Sequence, residues 1–157
     1  MSKGSVEASN ILEIYPVVIF IGPMKTGTTS LYALLKKDPR ICLPTDVKET
    51  FFFDRYFDRG INWYASQFRP QKNTQVLVEV APSLFHCLDA PARLAAFGVK
   101  ALIISLRDPM DRSISHYRHL RRYGFVNSIE ECVQSFPEVY RASQYSMIIP
   151  NWSRVCD

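Results

Sequence analysis

The chain has 157 residues, 47% hydrophobic and 13% aromatic, with 19 Lys and Arg against 15 Asp and Glu. That is enough apolar material for one buried core and argues against disorder, while the small, scattered cationic excess suits a small anion and not a nucleic-acid groove. Cys42, Cys87, Cys132 and Cys156 form no C-x-x-C pair, so neither a zinc cluster nor a disulfide framework is expected, and a reducing, cytoplasmic setting fits best.

Residues 1–15 are polar, lack an apolar signal core and are expected to form a flexible N-terminus, and the run at 17–21 is too short to span a bilayer. Pro16 to Ile21 (PVVIFI) is a continuous β-branched run that predicts a strand buried on both faces, as in a parallel sheet. After the turn at Gly22-Pro23 the period changes: Leu31, Leu34 and Leu35 fall at helical spacing from Thr28 onward, and Asp38-Pro39 stops the helix. The aromatic-rich span 51–68 reads as a loop with short helices over the sheet's rim. A second strand is predicted at Gln75 to Val80, then a helix from Asp89 with Pro91 in its first turn and Gly98 as its stop. Lys100 to Leu106 is the third strand, and Asp108 caps the next helix, whose last turn carries Arg118, Arg121 and Arg122 before Gly124. Ser128-x-x-Glu131 is a capping box, Glu138 to Ile149 reads as one more helix, and no closing strand follows. Alternating strands and helices predict a single α/β domain over 1–157: a parallel sheet with helices on both faces and a P-loop-type nucleotide site at the strands' carboxyl ends.

The segment Gly22-Pro-Met-Lys25-Thr26-Gly27-Thr28-Thr29 joins a buried strand to a helix, where backbone N–H groups and the helix dipole converge on a phosphate. In a nucleotide triphosphatase loop a lysine follows the second glycine. Here Thr28 stands in that position and Lys25 lies inside the loop, which argues against ATP hydrolysis. Lys25 can meet negative charge developing on a leaving phosphate oxygen.

The loop GPMKTGTTSLYALLKKDP resembles the 5′-phosphosulfate motif of sulfotransferases that use 3′-phosphoadenosine 5′-phosphosulfate (PAPS), especially the heparan sulfate type and its bacterial relatives. The resemblance runs on, in the family's order, through KETFFFD, GINWYASQF, VEVAPSLF and LRDPMDRSISHYRH, and covers about Val17 to Phe136. It implies that Lys25, Thr26, Gly27, Thr28 and Thr29 hold the 5′-phosphosulfate and that Arg107 and Ser115, in R-D-P-x-x-R-x-x-S, hold the 3′-phosphate. Arg112, on the helix face of Ser115, is a weaker candidate for the same anion. PAPS would be the cosubstrate, 3′,5′-adenosine bisphosphate the product, and no metal is needed.

Glu49 precedes three phenylalanines, where desolvation would raise its pKa towards that of a base, and by resemblance it matches the family's catalytic glutamate. The competing reading pairs it with Lys48 or Arg55 in an ordinary ion pair. Lys48 ranks low as a ligand of the sulfuryl group, and Glu79 is read as orienting the loop or neighbouring backbone. Val80 stands where heparan-type relatives often carry a lysine, which leaves the acceptor class open between small molecules and saccharides. Pro82 falls near the histidine base of the soluble small-molecule enzymes, which favours Glu49, with His86 as the alternative. His116 and His119 read as part of a charged helix face and not as a metal pair. Family members continue past this point with a basic glycine loop, so the chain is expected to be incomplete at its C-terminus. Two rivals to an active sulfotransferase stay open: a P-loop small-molecule kinase, and a shortened, inactive nucleotide-binding paralogue.

Overall fold

The computed structural model describes residues 8–153 and Val155. Its first element, helix α1 (Ala8–Ile14), is one the sequence did not suggest. Ile11 is buried in the main core with Leu12 and Tyr15 packed beside it, so residues 8–15 are ordered where a flexible terminus was expected. Seven residues do not stay helical in water by propensity alone, and the apolar contact supplies what the local sequence lacks. Residues 1–7 of that expected terminus lie outside the described residues.

Strand β1 (Val17–Ile21), helix α2 (Thr28–Leu35), the two-residue strand β2 (Ile41–Cys42), helix α3 (Ile61–Ala65), strand β3 (Val76–Val80), helix α4 (Ala90–Phe97), strand β4 (Ala101–Ile104) and helix α5 (Pro109–Arg122) follow. Among the described residues the four strands pair in parallel in the order β2-β3-β1-β4, with Val18 aligned to both Val78 and Ala101. This is the expected parallel α/β sheet, and the connections carry helices because parallel neighbours need a long crossover. The order brings the carboxyl ends of β3, β1 and β4 side by side.

Val17, Ile19 and Ile21 are buried, whereas Val18 and Phe20 are only half-buried, so β1 is fully covered on one face and not on both. Residues aligned across a parallel sheet share a face. Along the row Val80, Phe20, Ile103 the cover thins from complete burial to 42% exposure, towards the β4 edge.

The span 51–68 contains the short helices expected, yet its rings do not merely cap the rim. Phe52, Phe53, Tyr64 and Phe68 belong to the main core, Phe52 stacked on Tyr64 at 4.9 Å and Phe53 and Phe68 edge-on to the same ring at 5.2 Å. Each such ring contributes roughly 1.5–3 kcal/mol by leaving water.

One helix stop and two caps match the sequence reading. Gly98 ends α4 in the left-handed conformation, and the Asp108 carboxylate accepts from the Met110 and Asp111 amides at the head of α5. Ser128 caps α6 (Ile129–Ser135) through the Glu131 amide at 3.1 Å, while the Glu131 carboxylate reaches the Asn127 amide instead of that of Ser128. The single helix expected over 138–149 is two, α7 (Glu138–Arg141) and α8 (Tyr145–Ile148), followed by a 3-10 turn whose Trp152 is buried. Ser143 causes the break: its hydroxyl is held by the Pro109 carbonyl at 2.9 Å and by Arg112 at 2.6 Å, and Gln144 leaves the helical region.

Candidate active site

Three loops meet where β3, β1 and β4 end. The middle one is the loop 22–29, expected to hold a phosphate and called the phosphate loop below. Gly22 has φ 151°, and a Cβ there would stand 2.3 Å from the Ser105 carbonyl oxygen, so only glycine lets the chain leave β1 this close to the end of β4. Lys25 (φ 77°) and Gly27 (φ 87°) both lie in the left-handed region, which for a lysine is a held strain, and such reversals turn successive amides towards one point. The loop is tied from several sides: Thr26 Oγ1 donates to the Pro23 carbonyl at 2.9 Å, Ser105 Oγ donates to the Thr26 carbonyl at 2.9 Å, and Arg112 Nη1 donates to the Met24 carbonyl at 3.1 Å. Thr28 is buried and Thr29 exposed at the head of α2.

Arg112 is fully buried and spent on neutral acceptors. Besides Met24 it donates to Ser143 Oγ, to Ser113 Oγ at 3.3 Å and to the Val139 carbonyl. It is a structural bolt between the loop, α5 and α7, and the weaker role first given to it, as an anion ligand, is corrected. Arg107, by contrast, is 44% exposed and stands 3.9 Å from Asp111, at the outer limit of an ion pair. Ser115, two turns into α5, is half-buried, and its hydroxyl makes no hydrogen bond among the described residues. Among the described residues the side chains of Ser115 and the half-buried Lys25 make no hydrogen bond or ion pair, and Arg107 is paired only with Asp111.

His116 overturns the charged-face reading. It is 3% exposed, with Nδ1 3.5 Å from Arg112 Nη1. Burial first, then the charges of Arg112, His119 and Lys25, push its imidazole down to about 4. His119, edge-on to Tyr123, is pushed down by loss of solvent and by Lys25. Both histidines therefore lie in the field of the phosphate loop.

Across β1, at the end of β3, carboxylates gather. Glu49 is half-buried and its Oε1 accepts from the Ser83 amide at 2.8 Å. Burial pushes its carboxyl up, Ser83 opposes that, Asp54 adds to it and Lys48 subtracts. Neither ion pair proposed for it forms: Arg55 lies over the Phe51 ring and beside Asp54, and Lys48 Nζ donates to Thr29 Oγ1 at 3.4 Å. That last contact draws the loop carrying Glu49 to the head of α2 and gives Lys48 a place that its sequence context did not suggest. Glu79 is 1% exposed, accepts from the Thr50 amide at 2.6 Å, and is pushed up to about 7 chiefly by burial. It orients neighbouring backbone, as read, but that of Thr50 and not of the phosphate loop. Val80 is fully buried. His86 sits edge-on to Phe85, and its charged neighbours are Arg112 and Glu138, not Glu49.

Ser83 and Ser105 were missed by the sequence reading, and no local signal marks them, whereas Tyr64, read as core or loop packing, is fully buried in the core. Among the described residues no group of three or more His, Cys, Asp or Glu side chains could hold a metal ion, and no helix is long and apolar enough to cross a membrane. A groove of about 450 Å³ follows the other end of α2, between Tyr32, Lys36, Arg69 and Lys72, away from these loops.

The chain is 37% identical over 153 residues to the human bifunctional heparan sulfate N-deacetylase/N-sulfotransferase 3, covering 87% of this chain and 17% of the relative. It is 37% identical over 107 residues to the human heparan sulfate glucosamine 3-O-sulfotransferase 3B1, covering 65% of this chain and 26% of the relative. The chain thus spans about a sixth to a quarter of the length of these curated relatives. A crystal structure of a sulfotransferase from Alicyclobacillus acidocaldarius superposes with a TM-score of 0.72 at 25% identity, covering 89% of this chain and 68% of that one. No family model matches.

Proposed function

Since this chain belongs to the sulfotransferase family, we propose that it moves a sulfuryl group from PAPS to a hydroxyl or amine acceptor, leaving 3′,5′-adenosine bisphosphate. The observation that carries the reading is the meeting of two loops: Lys48 joins the Glu49 loop to Thr29, at the head of the helix that the phosphate loop opens. A candidate base and a candidate phosphate cradle thereby share one helix terminus.

The residues present suit a donor with phosphate at both ends of its ribose. The left-handed turns at Lys25 and Gly27 and the hydroxyls of Thr26, Thr28 and Thr29 suit the 5′ end, and the partly exposed Arg107, paired only at 3.9 Å with Asp111, and Ser115 suit the 3′ end. When bound, PAPS supplies the sulfuryl group. Glu49 takes the proton of the acceptor as the new S–O or S–N bond forms, and Lys25 balances the charge left on the 5′-phosphate oxygen as the old S–O bond breaks. Burial of Glu49 supports its part, because a carboxyl pushed up from the ordinary range is the better base. Both curated relatives are named for heparan sulfate, which supports a saccharide acceptor. Cys42, Cys87 and Cys132 are free, which supports a reducing, cytoplasmic setting. We read the 157 residues as one sulfotransferase domain.

Calorimetry with 3′,5′-adenosine bisphosphate and with ATP, each with and without Mg²⁺, tests the donor. Expected is bisphosphate binding indifferent to Mg²⁺ and lost in Lys25→Ala and Arg107→Ala. Mg²⁺-dependent ATP binding with no bisphosphate binding would overturn the reading in favour of a kinase. With labelled PAPS, Glu49→Gln is expected to lower transfer about 100-fold or more while leaving bisphosphate affinity in place.

A further inference from the structure

The transfer reading leaves one buried polar pair without a role. Glu79 on β3 and Tyr64 on α3 are 1% and 0% exposed inside an otherwise apolar core. Glu79 Oε1 takes the Thr50 amide, but Glu79 Oε2 and Tyr64 Oη face one another's surroundings without a regular hydrogen bond. An idle buried oxygen destabilises a fold by roughly 1–3 kcal/mol, so stability alone does not account for a carboxyl at this position.

What the carboxyl does hold is the peptide next to Glu49. The candidate base is gripped from two sides: the Ser83 amide donates to its carboxylate, and Glu79 anchors the following residue through the 2.6 Å bond to the Thr50 amide. Thr50 in turn accepts from the Phe52 amide at 3.1 Å, which continues the grip into the aromatic core. We propose that Glu79 is a positioning residue, which by holding the Thr50 amide fixes the backbone that carries the Glu49 carboxyl. The inference rests on the reading of Glu49 as the base.

The charges around the pair sharpen it. Thr50, Tyr64 and the Glu49 carboxyl face Glu79, while Asp54, Lys48 and Ser83 act on Glu49. Burial is the main cause that raises the Glu79 carboxyl, and the charge of Glu49 adds to it only as the smallest cause. Glu79, pushed up to about 7, is the deeper of the two carboxyls.

The chain carrying carboxyl-labelled glutamate separates this from a merely structural role. In the wild type, carbon NMR should find the Glu79 carboxyl titrating near 7 and moving down in Glu49→Gln. A Glu79 carboxyl that titrates near 4 and ignores that substitution overturns the proposal. Glu79→Gln keeps an acceptor for the Thr50 amide and should hold transfer within about fivefold of wild type while removing the limb near pH 7 from its pH profile. Glu79→Ala should lose the acceptor, speed Thr50 amide exchange, and lower kcat about 100-fold, as a displaced catalytic group does, with bisphosphate affinity unchanged. If transfer and bisphosphate affinity fall together in both variants, Glu79 only supports the fold and the proposal fails. Should Glu49→Gln keep full activity, the base reading falls instead. The exchange of the Thr50 amide in Glu79→Ala against wild type still reports whether Glu79 holds that peptide, and unchanged exchange there overturns the proposal.

Discussion

The two sides of the site are built from opposite materials. On the loop side, glycine geometry, carbonyl contacts and the cations Lys25, Arg107 and Arg112 crowd the ends of β1 and β4, and a buried histidine is kept neutral among them. On the β3 side, carboxyls gather beside the aromatic part of the core, and burial pushes that of Glu79 up to about 7. Each side resists more of the charge it already carries. A phosphate relieves the first side, and a proton relieves the second. That is the polarity a group transfer needs when an anion leaves one way and a proton the other, with Lys48 the contact that spans the two.

The strongest way to break the contrast is to damage the loop alone. Gly22→Ala would drive a Cβ into the Ser105 carbonyl, and unfolding in urea should register a loss of about 3 kcal/mol, with bisphosphate affinity abolished. A variant within about 0.5 kcal/mol of wild type would mean that the loop does not depend on this contact.

The pH dependence of stability sharpens the contrast. Glu79 is raised from 4.5 to about 7, so its contribution is full below 4.5 and is lost as pH rises to 7. His116 is lowered from 6.5 to about 4, so its contribution is full above 6.5 and is lost as pH falls to 4. Between 4.5 and 6.5 the two slopes oppose and this pair leaves stability nearly level. Glu79→Gln removes one slope, and stability should then climb with pH by roughly 1.4 kcal/mol per unit across the middle of that window. Denaturant titrations of wild type and variant at pH 5 and pH 6 measure it, and a variant as level as the wild type would contradict the opposed charges.

The smallest effect expected is at the bridge. Lys48→Ala breaks a 3.4 Å contact at the surface, so stability should change by less than about 0.5 kcal/mol. Transfer should fall about tenfold, because the two loops lose their only direct side-chain tie among the described residues and Glu49 loses alignment. An unchanged rate would show that Glu49 is aligned by Ser83 and Glu79 alone.

Much of the fold was legible along the chain. The β-branched runs at 17–21, 76–80 and 101–104, the Gly98 stop, and the Asp108 and Ser128 caps are local signals, each decided by residues within a turn of one another. The phosphate loop was legible for the same reason, since its glycines, lysine and threonines lie within eight consecutive positions. Where the reading failed, a distant partner had intervened. Helix α1 exists because the core takes Ile11, the helix expected over 138–149 breaks because Ser143 is drawn to Pro109 and Arg112, and His116 is buried under a helix face that looked charged.

By itself, then, the amino-acid order determined the parallel α/β frame, the phosphate loop and the identity of its cations and hydroxyls. Only the tertiary structure decided that Arg112 is a bolt and not a ligand, that Lys48 reaches Thr29, and that Glu79 holds the peptide beside Glu49 from 29 residues away. Backbone propensity and capping act over a few residues, whereas the partner of a buried charge is whatever donor or acceptor the packed core brings within about 3 Å.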